Sequence, residues 1–141
     1  MQLSFNKALE IRKDVLGENH PDTAMSCNNI GGVYDVLGDY DKALEYHNKA
    51  LEIQKEVLGE NNPHTAMSYN NIGVVYRNLG DYDKALEYFI KALEIFKERL
   101  GESHPYTKKT LRNIAKVKQK SEESQKKKGF WAKLFGKGLM Y

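Results

Sequence analysis

Residues 20–61 read HPDTAMSCNNIGGVYDVLGDYDKALEYHNKALEIQKEVLGEN, and residues 62–103 read NPHTAMSYNNIGVVYRNLGDYDKALEYFIKALEIFKERLGES. The two segments agree at 31 of 42 positions without a gap. A period between about 20 and 50 residues is the signature of stacked supersecondary units. Outside this pair the unit continues in both directions. ALEIRKDVLGEN, near the start, matches the back half of the unit, with Ala8 in the place of Ala50 and Ala92. His104, Pro105 and Thr107 correspond to His20, Pro21 and Thr23 and open a further copy. The expected organisation is a half repeat over 1–19, full repeats over 20–61 and 62–103, a first helix over 104–120, and a basic, aromatic tail over 121–141.

Each full unit predicts two antiparallel helices. The first starts at Pro21 or Pro63, since proline suits the first helical position. It stops near Gly38 or Gly80, where glycine can take the left-handed cap conformation. The second starts at Asp39 or Asp81, good N-cap residues, and stops near Gly59 or Gly101. Ala43, Leu44, His47, Ala50, Leu51 and Gln54 recur at the spacing of one helical face. The next copy has Ala85, Leu86, Phe89, Ala92, Leu93 and Phe96 there, a more apolar face. No single pair can bury such a face, so neighbours must stack. Gly31, Ala43 and Ala50 are read as close-approach positions, with Tyr34 filling the space beside them.

The pattern resembles a known family. Ile30, Gly31, Tyr34, Gly38, Ala43 and Ala50, repeated as Ile72, Gly73, Tyr76, Gly80, Ala85, Phe89 and Ala92, are similar to the tetratricopeptide repeat signature. The 42-residue period, the HPDTA-type opening, the NN pair and the ALEI…VLGE ending resemble its kinesin-light-chain-like branch. The resemblance covers roughly residues 3–117. It implies an all-α fold, a right-handed superhelical solenoid of antiparallel helix pairs. His47 departs from it, standing where the family has an aromatic or large apolar residue. So do Ala115, Lys118 and Glu122, in the places of the glycine, the tyrosine and the turn glycine.

Composition bounds the function classes. The chain has 141 residues, 40% hydrophobic and 29% charged. One cysteine permits no internal disulfide and no zinc or iron–sulfur cluster. With no secretory-type N-terminal segment, this fits a reducing, cytoplasmic setting. No apolar run approaches the ~20 residues that span a bilayer. Charge is segregated: residues 1–103 hold 11 basic and 17 acidic side chains, and residues 104–141 hold 11 basic and 2 acidic ones.

No catalytic constellation emerges, so the expectation is a protein without enzymatic activity or cofactor. His20, His64 and His104 stand beside prolines at the repeat junctions, and His47 lies on a helix face. None has metal-site spacing. Asp39, Asp41 and Glu45, like Asp81, Asp83 and Glu87, recur with the repeat as caps and solvated faces. Cys27 aligns with Tyr69 and reads as a core thiol without a basic neighbour to activate it. No phosphate-binding glycine loop occurs.

The asparagine pairs Asn28–Asn29 and Asn70–Asn71 are different, because asparagine is a mediocre residue for a mid-helix position. Asn113 continues one of the two rows. In proteins of the resembling family, such asparagines line the concave groove and hydrogen-bond an extended peptide backbone; an amide donates and accepts at once. Along the same face lie Gly32, Asp35 and Val36 in one copy and Val74, Arg77 and Asn78 in the next. Lys109, Arg112, Lys116 and Lys120 follow in the last helix. The candidate peptide-binding set is Asn28, Asn29, Asn70, Asn71, Arg77, Asn78, Lys109, Arg112, Asn113 and Lys116. It should favour an acidic or carboxylate-bearing peptide, although the lysines can equally be solvation of an end helix. Two other classes stay open. Exposed end helices could stack between chains, or the tail could recruit the chain to a membrane surface.

In the tail, Phe130, Trp131, Leu134 and Phe135 fall on one side of a helix, with Lys133 and Lys137 elsewhere. It reads as a degenerate closing helix, since Trp131 counts back by 42 to Phe89, with Gly129 interrupting it. Its other readings are a weak anionic-membrane anchor and a flexible partner-seeking segment. Lys126–Lys128 alone do not make a case for nucleic acid.

Overall fold

Proline and glycine set the helix limits as the repeat demands. The computed structural model describes residues 2–136. Those residues form α1 (Gln2–Leu16), α2 (Pro21–Leu37), α3 (Tyr40–Val57), α4 (Pro63–Leu79), α5 (Tyr82–Leu100) and α6 (Pro105–Phe135), with no strand among them. Pro21, Pro63 and Pro105 each open a helix. The preceding residue caps it. His20 Nδ1, Asn62 Oδ1 and His104 Nδ1 accept the N–H of Asp22, His64 and Tyr106 at 3.0, 2.9 and 3.1 Å. Two of the four histidines are thus helix caps. Gly38 and Gly80 end α2 and α4 at φ 82° and 84°, a conformation that a Cβ disfavours. Asp39 and Asp81 then cap α3 and α5 by accepting the N–H of Lys42 and Lys84.

Successive helices pack side by side, and α2 also touches α4. The core runs along the array in three clusters. The first holds Leu9, Ala24, Cys27, Ile30, Ala50 and Ile53. The second holds Leu51, Ala66, Tyr69, Ile72, Ala92, Ile95 and Phe96. The third holds Ala85, Phe89, Ile114 and Val117. Ala8, the counterpart of Ala50 and Ala92 in α1, is exposed. Between one pair and the next, a buried threonine clasps the turn. Thr23, Thr65 and Thr107 donate to the carbonyls of Gly17, Gly59 and Gly101 at 3.0, 2.8 and 2.8 Å. This hydrogen bond recurs once per repeat and ties the first turn of one helix pair to the end of the pair before it.

Within each pair one contact sets the spacing. A Cβ placed on Gly31 would lie 2.8 Å from the His47 ring, and one on Gly73 would lie 2.7 Å from the Phe89 ring. The α3 or α5 ring is seated flat on bare backbone. Tyr34, half-buried, packs beside this contact against the cluster that holds Ile30 and Ala50, and stacks on Tyr46 at 5.7 Å. His47 fills the seat as Phe89 does, and is only 3% exposed. Its polarity is met by Asn28, whose Oδ1 lies 2.9 Å from Nδ1.

The tail departs from expectation. The boundary read at Ser121 and the interruption read at Gly129 are absent: α6 runs unbroken for 31 residues. No closing helix folds back, so Trp131 does not occupy the place of Phe89. The physical reason is local. Residues 116–128 are rich in Lys, Gln and Glu, all good helix formers. With no turn glycine at Glu122, nothing stops the helix, and one glycine costs it only about 1 kcal/mol. Lys137 lies outside the described residues.

Two stability outcomes follow. Gly73→Ala forces the buried Phe89 ring to move and lowers stability by about 1–3 kcal/mol. Gly32→Ala, one position past the other seat, meets nothing within 4 Å and raises stability by roughly 0.5–1 kcal/mol. Urea unfolding midpoints of the two variants check both signs. The His47 seat adds a pH dependence. Desolvation pulls its pKa from 6.5 down to about 4, with Asp35 pulling the other way. Between those values the unfolded chain binds a proton that the folded chain does not. Stability is complete above pH 6.5 and declines as pH falls towards about 4. His47→Phe removes this component, roughly 3 kcal/mol at its largest, so the wild-type urea midpoint falls more steeply than the variant's as pH drops across that window.

Candidate functional site

The first helices of the units, α2, α4 and α6, form the wall of a concave groove of about 700 Å³. Of the sequence-derived set, Asn28, Asn29, Asn70, Asn71, Arg77, Lys109 and Asn113 line it. Gly32, Asp35 and Val74 line it too, as do the seat and floor residues His47 and Gln54. Asn78, Arg112 and Lys116 are exposed and do not line it, and neither does Val36, at 88% exposure. Asn78 and Arg112 each sit next to a lining residue, Arg77 and Asn113, but about 100° further round the helix. Lys120 lies instead beside Tyr82, near Glu123.

The asparagine pairs divide their labour. Asn28 is committed on both sides of its amide. Its Oδ1 meets His47, and its Nδ2 donates to Ser68 Oγ at 2.9 Å. The Ser68 hydroxyl in turn donates to Gln54 Oε1. This buried chain ties the first full repeat to the second. If His47 is neutral, as its lowered pKa requires, Nδ1 carries the proton that Asn28 accepts. At the next junction Asn70 Oδ1 accepts from Asn113 Nδ2 at 3.4 Å and Thr110 Oγ1 at 3.5 Å. Here Phe89 and Phe96 stand in the places of His47 and Gln54. Asn113 is buried, so it belongs to this tie.

Asn29 and Asn71 remain. Neither side chain has a hydrogen-bond partner among the described residues, and both face the groove. They sit at the same point of successive repeats. Arg77 and Lys109 stand on the same wall. The one acidic lining residue, Asp35, is held by Asn78, whose Nδ2 donates to Oδ1 and Oδ2 at 3.0 and 3.2 Å. The groove therefore offers two free amides and two cations, with its carboxylate already engaged.

Sequence reasoning missed an apolar rim. Met25, Met67 and Tyr106 are part-exposed and line the groove. A side pocket of about 90 Å³ opens between Met67, Phe96 and Tyr106. The signal was present: Met25 and Met67 precede Asn29 and Asn71 by four residues and recur in phase.

The other ionisable groups are structural. Burial raises the Cys27 thiol, outweighing Lys13 and Lys49. Burial also raises the Tyr69 phenol, helped by its hydrogen bond to Glu60. Among the described residues no group of three or more His, Cys, Asp or Glu could hold a metal ion.

Comparison with known proteins agrees with this geometry. The tetratricopeptide repeat family matches over residues 4–56, 28–77 and 64–126. Among solved structures, BtubC (BKLC) of P. vanneervenii is similar at 27% identity and a TM-score of 0.78, over 91% of this chain and 51% of that one. RapI, in its apo form, is similar at 33% identity and a TM-score of 0.73, over 86% of this chain and 42% of that one. A putative kinesin light chain of Podosopora anserina with nearly identical TPR-like repeats shares the fold at 20% identity and a TM-score of 0.74, over 86% and 58%. This chain thus spans about half the length of the structures it resembles. No curated protein sequence matches it. The chain is an all-α, right-handed solenoid, and it belongs to the tetratricopeptide repeat family.

Proposed function

We propose that the chain is a non-enzymatic scaffold whose concave groove binds an extended, acidic peptide segment of another protein. The observation that carries this reading is the uncommitted state of Asn29 and Asn71 beside their committed neighbours. A polar side chain repeated in phase, facing a cleft and lacking an internal partner, is what backbone recognition needs. Each amide can donate to a peptide carbonyl and accept from a peptide N–H. Arg77 and Lys109 supply charge-assisted contacts to carboxylates. Met25, Met67 and Tyr106 give apolar area against the peptide's side chains. Affinity is modest, because an extended peptide must be ordered on binding.

Peptide-display selection on the full chain tests this. Enriched peptides are expected to be acidic and to bind more weakly as salt rises. Asn71→Ala, with unchanged circular dichroism, weakens their binding about tenfold, the scale of one lost charge-free hydrogen-bond pair. Arg77→Glu shifts the selection away from acidic sequences. Enrichment that is indifferent to both substitutions would place the binding site elsewhere.

A further inference from the structure

Two surfaces are used neither by the core nor by the groove. The first is the distal part of α6. Ser121, Ser124, Gln125 and Lys128 line a hollow at the α4–α5 turn. From Gln125 to Phe135 no residue is buried. These residues form an arm, and beyond Lys128 the helix overhangs the array by ~10 Å at the helical rise. Trp131 stacks on Phe135 at 4.7 Å, and Phe130 meets the Trp131 edge at 5.8 Å. With Leu134 they occupy one side of the helix, and Phe130 and Leu134 are 60% and 59% exposed. Lys126, Lys127, Lys128 and Lys133 surround them.

The second surface is the edge made by the α2–α3 and α4–α5 turns. Val36, Leu37 and Leu79 are exposed there. A shallow depression of about 400 Å³ lies between the turns, lined by Leu37, Tyr40, Asp41 and Leu79 among others. Asp39, Asp41, Asp81 and Asp83 surround these aliphatics. Among the described residues, none of these four carboxylates and none of the four arm lysines is in an ion pair.

We propose that the arm of one chain docks on the turn edge of a second copy of this chain. Each surface has an apolar centre and a charged rim, and the rims are opposite in sign. An apolar patch of this kind on a folded chain marks an interaction site, and complementary rims select the partner and the register. Only the base of the arm meets its own edge, where Gln125 and Lys128 line a hollow with Leu79, Asp81 and Asp83; its exposed aromatic end continues past it, because α6 runs unbroken through Gly129. Arm against arm would oppose lysines. A bilayer or nucleic acid would match the arm but leave the aliphatic edge without a role. Reciprocal docking about a two-fold axis closes a dimer, and one-way docking propagates a chain of subunits. Neither surface contains a groove residue, so a peptide and a second copy bind independently.

Multi-angle light scattering and equilibrium sedimentation on the full chain test the proposal. Concentration-dependent association, weakened by high salt, is expected. Trp131→Ala with Phe135→Ala should raise the dissociation constant at least tenfold. A charge exchange separates this contact from nonspecific stickiness. The triple variant Lys126→Glu, Lys127→Glu, Lys128→Glu and the double variant Asp41→Lys, Asp83→Lys should each be monomeric alone, with wild-type circular dichroism. Mixed, they should associate again, since each arm then faces an edge of opposite sign. A chain monomeric at every concentration overturns the proposal. So does association that the charge exchange neither breaks nor restores. Arm-dependent binding of a monomeric chain to phosphatidylserine vesicles overturns it in favour of a membrane surface.

Discussion

The seating of one ring on one glycine governs the rest of the structure. His47 on Gly31 and Phe89 on Gly73 bring the two helices of a pair to a separation that admits no Cβ between them. Ala43, Ala50, Ala85 and Ala92, all fully buried, extend the same close approach along the pair. Because each pair closes in the same way, and each threonine clasp joins the next pair in the same way, Asn29 and Asn71 come to equivalent points on the concave wall. The proposed binding row is thus a consequence of a packing contact in which neither asparagine takes part.

The two junctions between repeats share this geometry but not its chemistry. The first is held by a chain of hydrogen bonds through His47, Asn28, Ser68 and Gln54. The second has Phe89 and Phe96 in the corresponding places and is mainly apolar. A buried polar chain contributes little net stability per bond, but breaking one link strands its partners at a cost of about 1–3 kcal/mol. It therefore favours a single register over neighbouring ones. The second junction gains more from burial and keeps a smaller polar tie, from Asn70 to Thr110 and Asn113. The array combines a register-setting joint with a cohesive one.

Most of the fold was legible in the residues, and part of the site was. Pro21, Pro63, Gly38, Gly80, Asp39 and Asp81 mark helix limits through backbone chemistry, which acts locally and so appears in the sequence. The NN pairs were recognisable as unusual, but adjacent residues lie about 100° apart on a helix. Which member faces inward depends on how neighbouring pairs are rotated, a tertiary quantity. That is why Asn28, Asn70 and Asn113 turn out to be ties and Asn29 and Asn71 to be free. Asn78 was misread for a related reason: its partner Asp35 is one repeat away. The seating of His47 on Gly31 was not legible, because a ring from the opposite helix leaves no mark near Gly31 in the sequence.

The continuity of α6 has the most far-reaching consequence. In the two full repeats a glycine ends the first helix and the chain returns to cover its own neighbour. With Glu122 in that place the helix carries its aromatic residues past the edge of the body. Eleven or so residues of uncovered helix are marginal by themselves in water, since helix stability in proteins derives mainly from packing of an apolar face. The distal arm therefore belongs to the low-stability end of the molecule, and any surface that accepts its aromatic side also stabilises its helicity. Segregation of charge acts in the same direction. The body is acidic and the arm basic, so the contacts that order the arm are those with an acidic, apolar surface, of which this chain carries one at its turn edge.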